Sequence, residues 1–275
     1  MPAAEPLRRA AVLGHPVAHS LSPVLHLAAY RALGLAWDYD RIDMTGDRLA
    51  AFVAGLDASW VGLSLTMPLK EDVLPLLDEA DDVVLATRAA NTVVLREGRR
   101  TGANTDVEGI VRSLADAGAA AVATATVLGG GATARSALAA LARVGTTQVA
   151  AYVRRPEAGA DLCRTGEALG LTVVAEPWDE AGRGLAAPVV VSTVPRGAAD
   201  HLATSVPNTP GTLLDVVYDP WPTPLAAAWR DAGGGVASGI DLLLHQAVEQ
   251  VRLMTGRTPP VDVLRAALDE AARSR

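Results

Sequence analysis

Lys70 is the single lysine of the chain, whose lysines and arginines together number 24. Burial can bring an ammonium group within reach of neutral pH, whereas a guanidinium stays charged, so a lysine suits proton transfer and an arginine suits a fixed charge. Lys70 follows a predicted strand from Val61 to Leu65, at the end where open α/β sheets bind their ligands. This position makes Lys70 a candidate catalytic residue, although codon bias alone could also leave one lysine.

Two serines, Ser20 and Ser22, lie just before a predicted helix over Val24 to Leu33. Ser22 followed by Pro23 is typical of a helix N-cap with proline at the first helical position, which explains that pair structurally. The same pattern does not explain Ser20. Because two hydroxyls at a helix N-terminus also suit a carboxylate, the serines predict an anion-binding role in addition to the cap.

Asp106 lies just after a predicted β-hairpin that begins at Asn91 and ends at Asn104. A structural explanation suffices for Asp106, because Thr105 and Glu108 fit a capping box and the helix dipole favours an acidic residue in the first turn. Asn91 could likewise be a turn residue. A chemical role for Asp106 and Asn91 therefore depends on the residues around them.

The segment 129–134, which reads Gly-Gly-Gly-Ala-Thr-Ala, matches the pattern G-x-G-x-x-A. It joins a predicted strand, Ala125 to Leu128, to a predicted helix, Thr133 to Val144, which is the context that a dinucleotide-binding loop requires. Gly129 allows a tight turn, Gly131 lets a pyrophosphate approach, and the free amides of the helix N-terminus bind the anion. An ordinary turn between a strand and a helix is the alternative explanation.

Arg154 and Arg155 follow the next predicted strand, Gln148 to Val153. A site for NAD typically has an Asp or Glu about 20 residues after the glycine loop, where it holds the ribose 2′-hydroxyl. Two guanidinium groups replace that carboxylate here, and they suit the 2′-phosphate of NADP. The pair favours NADP over NAD, and two solvated surface arginines are the alternative.

Short predicted strands alternate with amphipathic helices along the chain, which indicates an α/β fold built on mostly parallel sheets. A length of 275 residues predicts about two domains. We expect a discontinuous first domain over residues 1–105 and 240–275, and a Rossmann-type domain over residues 106–239. After the glycine triplet 233–235, two final helices are predicted, Ile240 to Thr255 and Val261 to Ala272.

Composition excludes several classes of function. Hydrophobic residues make up 50% of the chain and charged residues 20%, which is typical of a well-buried core and not of a disordered chain. The net charge of −7 argues against a nucleic acid or an anionic membrane as partner, and no signal peptide or membrane span is expected. The single cysteine, Cys163, suits the reducing cytoplasm, and the spacing of the histidines predicts no metal site. A small-molecule enzyme of the cytoplasm fits these observations.

Seven segments of this sequence resemble the shikimate dehydrogenase family in order and spacing. They are G-x-P-x-x-H-S-x-S-P at 14–23, S-x-T-x-P-x-K at 64–70, Ala90-Asn91-Thr92, Asn104-Thr105-Asp106, the glycine loop at 129–133, Asp215-x-x-Tyr218-x-Pro220 with Thr223-Pro224-Leu225, and residues 239–246. Each segment alone is weak, but seven in order along nearly the whole chain are specific. The resemblance implies two α/β domains facing each other across a cleft. It also implies the reversible NADPH-dependent reduction of 3-dehydroshikimate to shikimate, a step of aromatic amino acid biosynthesis.

The resemblance further implies roles for individual residues. Ser20 and Ser22, with Tyr218 nearby, hold the substrate carboxylate, while Lys70 and Asp106 are the catalytic pair. The residues that hydrogen-bond the substrate ring are Ser64, Thr66, Asn91, Asp106 and Gln246. The residues that bind NADP are Gly129, Gly130, Gly131, Ala132, Thr133, Arg154, Arg155, Thr193, Val216 and Gly239. A monomer or a homodimer is expected.

Departures from the family pattern leave alternatives open. Ser64 stands where the family usually has Asn; it can still donate one hydrogen bond, but its shorter side chain leaves room that could admit the extra hydroxyl of quinate. The glycine loop reads G-G-G-A-T instead of G-A-G-G-A, and Val-Arg-Arg at 153–155 replaces N-R-T. One alternative is a quinate/shikimate dehydrogenase that uses NAD, which the arginines disfavour. The other is a non-catalytic NADP-binding regulator, which the retention of Lys70 and Asp106 disfavours.

Overall fold

The computed structural model describes residues 7–119 and 121–273. The chain divides into two compact units, Met1–Thr105 with Gln246–Arg275 and Asp106–His245. The chain returns to the first unit inside a helix, between His245 and Gln246. None of the helices in the described stretches combines the length and the apolar composition that a membrane crossing requires.

The first unit is built on one six-stranded sheet. Its strands are β1 (Arg8–Gly14), β2 (Trp37–Asp43), β3 (Trp60–Leu65), β4 (Glu79–Ala80), β5 (Thr92–Arg96) and β6 (Arg99–Ala103). Their order in the sheet is β2-β1-β3-β5-β6-β4, and β5 runs antiparallel to both of its neighbours. The helices are α1 (Ser22–Ala32), α2 (Gly46–Ala54), α3 (Leu69–Asp72), α4 (Asp82–Thr87), the second part of α10 (Gly239–Thr255), and α11 (Val261–Arg273), with a 3₁₀ turn at Leu74–Leu76.

The second unit is built on a six-stranded sheet that is parallel throughout. Its strands are β7 (Thr124–Leu128), β8 (Gln148–Val153), β9 (Thr172–Pro177), β10 (Val189–Ser192), β11 (Thr212–Asp215) and β12 (Gly235–Ser238), in the order β12-β11-β10-β7-β8-β9. The helices are α5 (Asp106–Asp116), α6 (Ala132–Arg143), α7 (Pro156–Ala168), α8 (Ala181–Gly184), α9 (Pro224–Asp231) and the first part of α10, with 3₁₀ turns at Trp178–Glu180 and Asp200–Ser205. The two sheets confirm the predicted α/β class.

The N-terminus of α1 differs from the prediction. Ser22 is the first residue of the helix and Leu21 is its N-cap, which has no side-chain cap bond. The side chain of Ser20 takes over part of the expected role, since its Oγ accepts a hydrogen bond from the backbone N–H of Ser22 at 3.2 Å. The prediction of Ser22 as the N-cap was therefore wrong by one residue, because the position of the preceding loop decides which hydroxyl reaches the helix.

The glycine triplet 233–235 joins helix α9 to strand β12, and two of its glycines pack closely against neighbouring residues. A Cβ on Gly235 would overlap the carbonyl oxygen of Ala117, and one on Gly234 would lie 2.5 Å from the ring of Trp229. Gly235 begins β12, which pairs with β11 along its whole length. The sequence pattern predicted no strand between the triplet and the following helix, because glycine is depleted in strands and β12 begins at Gly235.

Each unit has its own apolar core. In the first unit, the buried side chains of Leu13, Leu49 and Leu63 belong to one cluster under the sheet. In the second unit, Trp229 is fully buried in a corresponding cluster, where its indole Nε1 donates to the carbonyl oxygen of Gly211 at 3.0 Å. These cores hold the strands rigidly, so the residues that follow each strand have defined positions.

Helix α10 approaches β3 very closely. A Cβ on Gly62 would lie 2.8 Å from two side-chain atoms of Met254, so a larger residue at position 62 would force the Met254 side chain to move. Ser64 lies two residues further along β3 and therefore faces the same side of the sheet as Gly62. This packing places the polar residues of α10 within reach of Ser64.

Candidate functional site

The structure brings the candidate substrate residues of the first unit to the carboxyl edge of its sheet. Thr66 follows β3, and its backbone N–H donates to the carbonyl oxygen of Leu13 at the end of β1, at 2.9 Å. Lys70 lies on α3 immediately beyond, and its carbonyl oxygen accepts from the N–H of Ala90 at 2.9 Å. Because β5 is antiparallel, Asn91 stands at the beginning of that strand and still reaches the same edge.

The two serines form a small hydroxyl pair at this edge. Ser20 Oγ donates to Ser22 Oγ at 3.2 Å, and Ser22 is buried whereas Ser20 is half-buried. Arg41, which the sequence pattern did not single out, donates from Nε to the carbonyl oxygen of Ser20 at 2.8 Å. The guanidinium thus holds the serine loop in place and adds positive charge beside it, which suits a carboxylate ligand.

Ser64 lies in the middle of a buried hydrogen-bonded chain. Its Oγ accepts from the hydroxyl of Tyr39 at 2.6 Å and donates to Oε1 of Gln250 at 2.9 Å. Burial raises the pKa of the Tyr39 hydroxyl well above its ordinary value, so this group stays protonated and donates. In this arrangement the hydroxyl proton of Ser64 goes to Gln250, which leaves the oxygen of Ser64 as an acceptor for a ligand.

Asn91 is a buried junction and not a simple turn residue. Its Oδ1 accepts from Thr92 Oγ1 at 2.9 Å, from the backbone N–H of Thr105 at 2.8 Å, and from Thr105 Oγ1 at 3.0 Å. Its Nδ2 donates to Oε1 of Gln246 at 2.9 Å. Two predicted substrate residues that lie far apart in the sequence, Asn91 and Gln246, are therefore in direct contact.

The hydroxyl of Thr105 serves this junction, which changes the interpretation of the α5 N-terminus. The predicted capping box with Glu108 is not formed; the carboxylate of Glu108 pairs with Arg112 at 2.7 Å and with Arg143 at 3.6 Å. Asp106 follows directly as the first residue of α5 and is buried. Its backbone position is thus set by the bonds that its neighbour Thr105 makes to Asn91.

Several residues of this site were missed in the sequence, and one of them carried a signal. Gln250 lies four residues after Gln246 on α10, so the two amides share one face of the helix. Tyr39, Thr92 and Arg41 carried no such signal, because their roles depend on how β2 and β5 lie beside β3.

His26 lies fully buried beneath the serines. Its ring stacks on Tyr39 with 3.9 Å between the ring centroids, and its Nδ1 donates to the carbonyl oxygen of Ser22 at 2.9 Å. Burial lowers the pKa of His26 from 6.5 to about 4, so the imidazole is neutral in the folded protein at neutral pH. The stacked pair supports both the hydroxyl of Tyr39 and the start of α1.

The depressed pKa of His26 predicts acid lability. In the unfolded chain the group takes up its proton near pH 6.5, whereas the folded protein resists until about pH 4, so stability is full above pH 6.5 and falls as the pH falls towards 4. We expect a loss of about 3 kcal/mol across that window from this group. His26→Phe retains the stacking and does not titrate, so urea unfolding at pH 7 and pH 4.5 is expected to show a smaller acid loss for the variant, by about 2 to 3 kcal/mol. Equal losses in both proteins would contradict this assignment.

The glycine loop of the second unit has the geometry of an anion site. Gly129 has a φ of +110°, and a Cβ there would lie 2.6 Å from Thr193 Oγ1. A Cβ on Gly130 would lie 2.7 Å from that of Ala158 on α7, whereas a Cβ on Gly131 would meet no atom within 4 Å. Gly131 is the N-cap of the twelve-residue helix α6 and supplies no side-chain cap bond. The amides at this helix N-terminus therefore face open space that a phosphate group fits.

Residues on three neighbouring strands complete the surroundings of the loop. Thr193, after β10, donates from both N and Oγ1 to the carbonyl oxygen of Leu128, at 2.8 and 2.9 Å. Ala132 and Thr133 begin α6. Arg154 and Arg155 follow β8 and are exposed, and Arg155 is the N-cap of α7 without a side-chain cap bond. Both guanidinium groups lie in solvent, in the part of the unit where a phosphate on the ribose is expected.

Val216, Tyr218 and Gly239 also come together in the second unit. A Cβ on Gly239 would overlap the carbonyl oxygen of Val216 and would lie 3.2 Å from the ring of Tyr218, so this contact requires glycine. Asp215 holds the loop from inside, because its carboxylate accepts from Thr223 Oγ1 at 2.8 Å and from the N–H of Val217 at 3.2 Å. Burial raises the pKa of Asp215.

Side chains that commonly bind metals are not grouped together in the part of the chain that the structure describes. No group of three or more His, Cys, Asp or Glu side chains there could hold a metal ion. What the site offers is hydroxyls, amides and one ammonium in the first unit, and amides with two guanidinium groups in the second.

Two family models match the sequence. One is described as the shikimate dehydrogenase substrate binding domain and matches residues 12–93. The other is described as the shikimate 5'-dehydrogenase C-terminal domain and matches residues 239–268.

Known proteins resemble the chain along almost its whole length. The shikimate dehydrogenase (NADP(+)) of Desulfitobacterium hafniense strain Y51 is 37% identical over 267 residues, which cover 95% of this chain and 97% of that protein. The crystal structure of Mycobacterium tuberculosis shikimate dehydrogenase has a TM-score of 0.88 and 41% identity, covering 96% of this chain and 99% of that one. Shikimate 5-dehydrogenase from Thermus thermophilus, solved in complex with NADP(H) and shikimate, has a TM-score of 0.85 and 32% identity, covering 96% of this chain and all (100%) of that one.

Proposed function

We propose, because this chain belongs to the shikimate dehydrogenase family, that it catalyses the reversible NADPH-dependent reduction of 3-dehydroshikimate to shikimate, a step of aromatic amino acid biosynthesis. The observation that carries the proposal is the buried junction at Asn91, which joins the substrate residues of the sheet edge to Gln246 of α10. This junction brings together motifs that lie far apart in the sequence, and the polar surface that they form suits a small hydroxylated acid. The protein acts in the cytoplasm as a monomer or a homodimer.

The substrate is an anion with several ring hydroxyls, and the first unit offers partners for both features. The hydroxyls of Ser20 and Ser22 hold the carboxylate. Arg41 supports the serines through the carbonyl oxygen of Ser20. The ring hydroxyls bind the polar groups of the sheet edge and its neighbours, namely Ser64 as an acceptor, Thr66, Asn91, Asp106 and Gln246.

Lys70 moves the proton in this proposal. As the ketone is reduced, negative charge develops on its oxygen, and the ammonium of Lys70 stabilises that charge and donates a proton to the oxygen. In the reverse direction the neutral amine accepts the proton from the hydroxyl. Asp106 orients the ammonium and the neighbouring substrate hydroxyl.

The second unit holds the cofactor in this proposal. NADPH, when bound, supplies the hydride. The amides of Gly129, Gly130, Gly131, Ala132 and Thr133 bind the pyrophosphate, with Thr193 fixing the turn. Arg154 and Arg155 bind the 2′-phosphate, and Val216 and Gly239 lie beside the nicotinamide. The uncapped N-terminus of α6 and the open space at Gly131 support this assignment.

Steady-state rates followed by nicotinamide absorbance test the function directly. Shikimate and quinate are each assayed with NADP and with NAD, and shikimate with NADP is expected to give the highest kcat/KM. A preference for quinate with NAD would replace the proposal by a catabolic quinate/shikimate dehydrogenase. Tight binding of NADP without turnover of either acid would indicate a non-catalytic regulator.

A further inference from the structure

Gln250 is a buried amide that makes hydrogen bonds to three residues, one on β3 and two adjacent residues at the start of β5. Only 2% of its surface is exposed. Its Oε1 accepts from Ser64 Oγ on β3 at 2.9 Å, and its Nε2 donates to Thr92 Oγ1 at 3.1 Å and to the carbonyl oxygen of Asn91 at 3.3 Å. All polar atoms of the side chain are therefore used inside the protein, where an unmade hydrogen bond is costly.

The direction of these bonds is determined by the number of protons on each group. A hydroxyl has a single proton. Tyr39 donates to Ser64, so Ser64 donates to Gln250. Thr92 accepts from the amide of Gln250, so its own proton goes to Oδ1 of Asn91. The chain of donors thus runs in one direction, from the phenol of Tyr39 to the amide oxygen of Asn91.

The last hydrogen bonds of this series determine the orientation of the side-chain amide of Asn91. Three donors converge on Oδ1, namely Thr92 Oγ1 and the N–H and Oγ1 of Thr105. The Nδ2 group must then point to the other side, where it donates to Oε1 of Gln246. The amide of Gln246 is oriented in turn, because its oxygen is directed to Asn91.

We propose that Gln250 is a positioning residue that fixes the amide orientations of Asn91 and Gln246, and so determines how these two side chains meet the ring hydroxyls of the substrate. The inference rests on the proposed function. Gln250 does not touch the substrate itself; it acts through Thr92 on Asn91, and through Asn91 on Gln246.

The test replaces Gln250 by an unbranched apolar side chain of similar size. Gln250→Met fills the space but makes none of the three hydrogen bonds, so the hydroxyl of Thr92 is free to turn its proton away from Asn91. We expect kcat/KM for shikimate to fall about 10- to 100-fold, with KM for NADP unchanged, because the loss is confined to the first unit. Glu249→Met introduces the same side chain at the adjacent position of α10, outside the chain of donors, and is expected to leave both parameters within about twofold of the parent.

A double-mutant cycle separates positioning from a general loss of packing. Thr92→Val removes the hydroxyl that lies between Gln250 and Asn91, and it is expected to lower kcat/KM for shikimate in the same selective way. In the Thr92→Val background, Gln250→Met is expected to lower kcat/KM by less than about threefold further, because its route to Asn91 is already interrupted. If the double variant loses as much kcat/KM as the product of the two single losses, the inference is overturned. It is also overturned if kcat/KM of Gln250→Met lies within twofold of the parent value.

Two further outcomes have defined meanings. Should Gln250→Met not fold, as judged by circular dichroism, Thr92→Val alone decides: a parent-like kcat/KM would overturn the inference, and a selective loss for shikimate supports it. A parent enzyme that turns over no shikimate with NADP contradicts the proposed function. Calorimetric titration of shikimate into the variants then still tests the effect of Gln250 on binding.

Discussion

Lys70→Arg is expected to lower kcat for shikimate oxidation with NADP by about 10²- to 10⁴-fold, the usual contribution of a general acid or base. Arginine keeps the positive charge at the end of the 64–70 segment, but a guanidinium does not give up a proton near neutral pH. Binding should suffer much less than turnover, so KM for shikimate is expected to change by no more than a few-fold. The measurement is a full steady-state comparison by nicotinamide absorbance.

A companion variant separates charge from proton transfer. Lys70→Met removes both, and we expect it to be at least as slow as Lys70→Arg, with a higher KM because the cationic group is lost. Arg31→Lys, an exposed exchange of the same two residue types on α1, serves as the matched control and should behave like the parent. Near-parent turnover by Lys70→Arg would show that Lys70 contributes only charge, and the acid–base role would have to be abandoned.

Removing both guanidinium groups after β8 is the second change with a large expected effect. A charge-assisted hydrogen bond contributes about 1.5 to 3 kcal/mol, so loss of two of them in the double variant Arg154→Ser with Arg155→Ser is expected to lower kcat/KM for NADP by about 10²- to 10⁴-fold. The value for NAD, which lacks the 2′-phosphate, should change by less than about threefold. The ratio of the two kcat/KM values is the quantity to measure, at one fixed ionic strength because such contacts are screened by salt.

Arg164→Ser provides the control for this experiment. Arg164 is an exposed arginine of α7 in the same unit, paired with Asp161, and its loss changes the net charge without removing either candidate phosphate ligand. Its NADP-to-NAD ratio is expected to equal that of the parent. If kcat/KM of the double variant falls equally for NADP and for NAD, the arginines support the fold or bind the ribose. If kcat/KM falls for neither cofactor, the arginines are solvated surface residues.

The features that could be predicted from the sequence are those in which sequence neighbours act together. The glycine loop is one strand, one turn and the start of one helix, so its spacing alone predicted the turn at Gly129 and the open approach at Gly131, both of which the structure has. The strand Gln148–Val153 was predicted at its observed bounds for the same reason. The position of Arg154 and Arg155 after that strand followed directly.

Partners that lie far apart in the sequence were not predictable in this way. The hydroxyl of Ser64 meets Gln250, which lies 186 residues further along the chain, and this contact requires α10 to pack against β3 at Gly62. The sequence also did not predict that the hydroxyl of Thr105 donates to Asn91 and does not cap its own helix, for the same reason. In both cases the local sequence pattern suggested one hydrogen-bond partner, whereas the structure shows the hydrogen bond made to a residue that is distant in the sequence.

The sequence by itself determined the α/β class and the glycine loop, and it singled out Lys70, the single lysine among arginines, as a candidate catalytic residue. Spacing along one strand and its following turn is enough for such features, since the backbone has few conformations there. Only the tertiary structure decided in which direction the hydrogen bonds between Tyr39 and Asn91 are donated. That direction depends on which side chains from separate elements meet in a buried space, where each donor must find an acceptor.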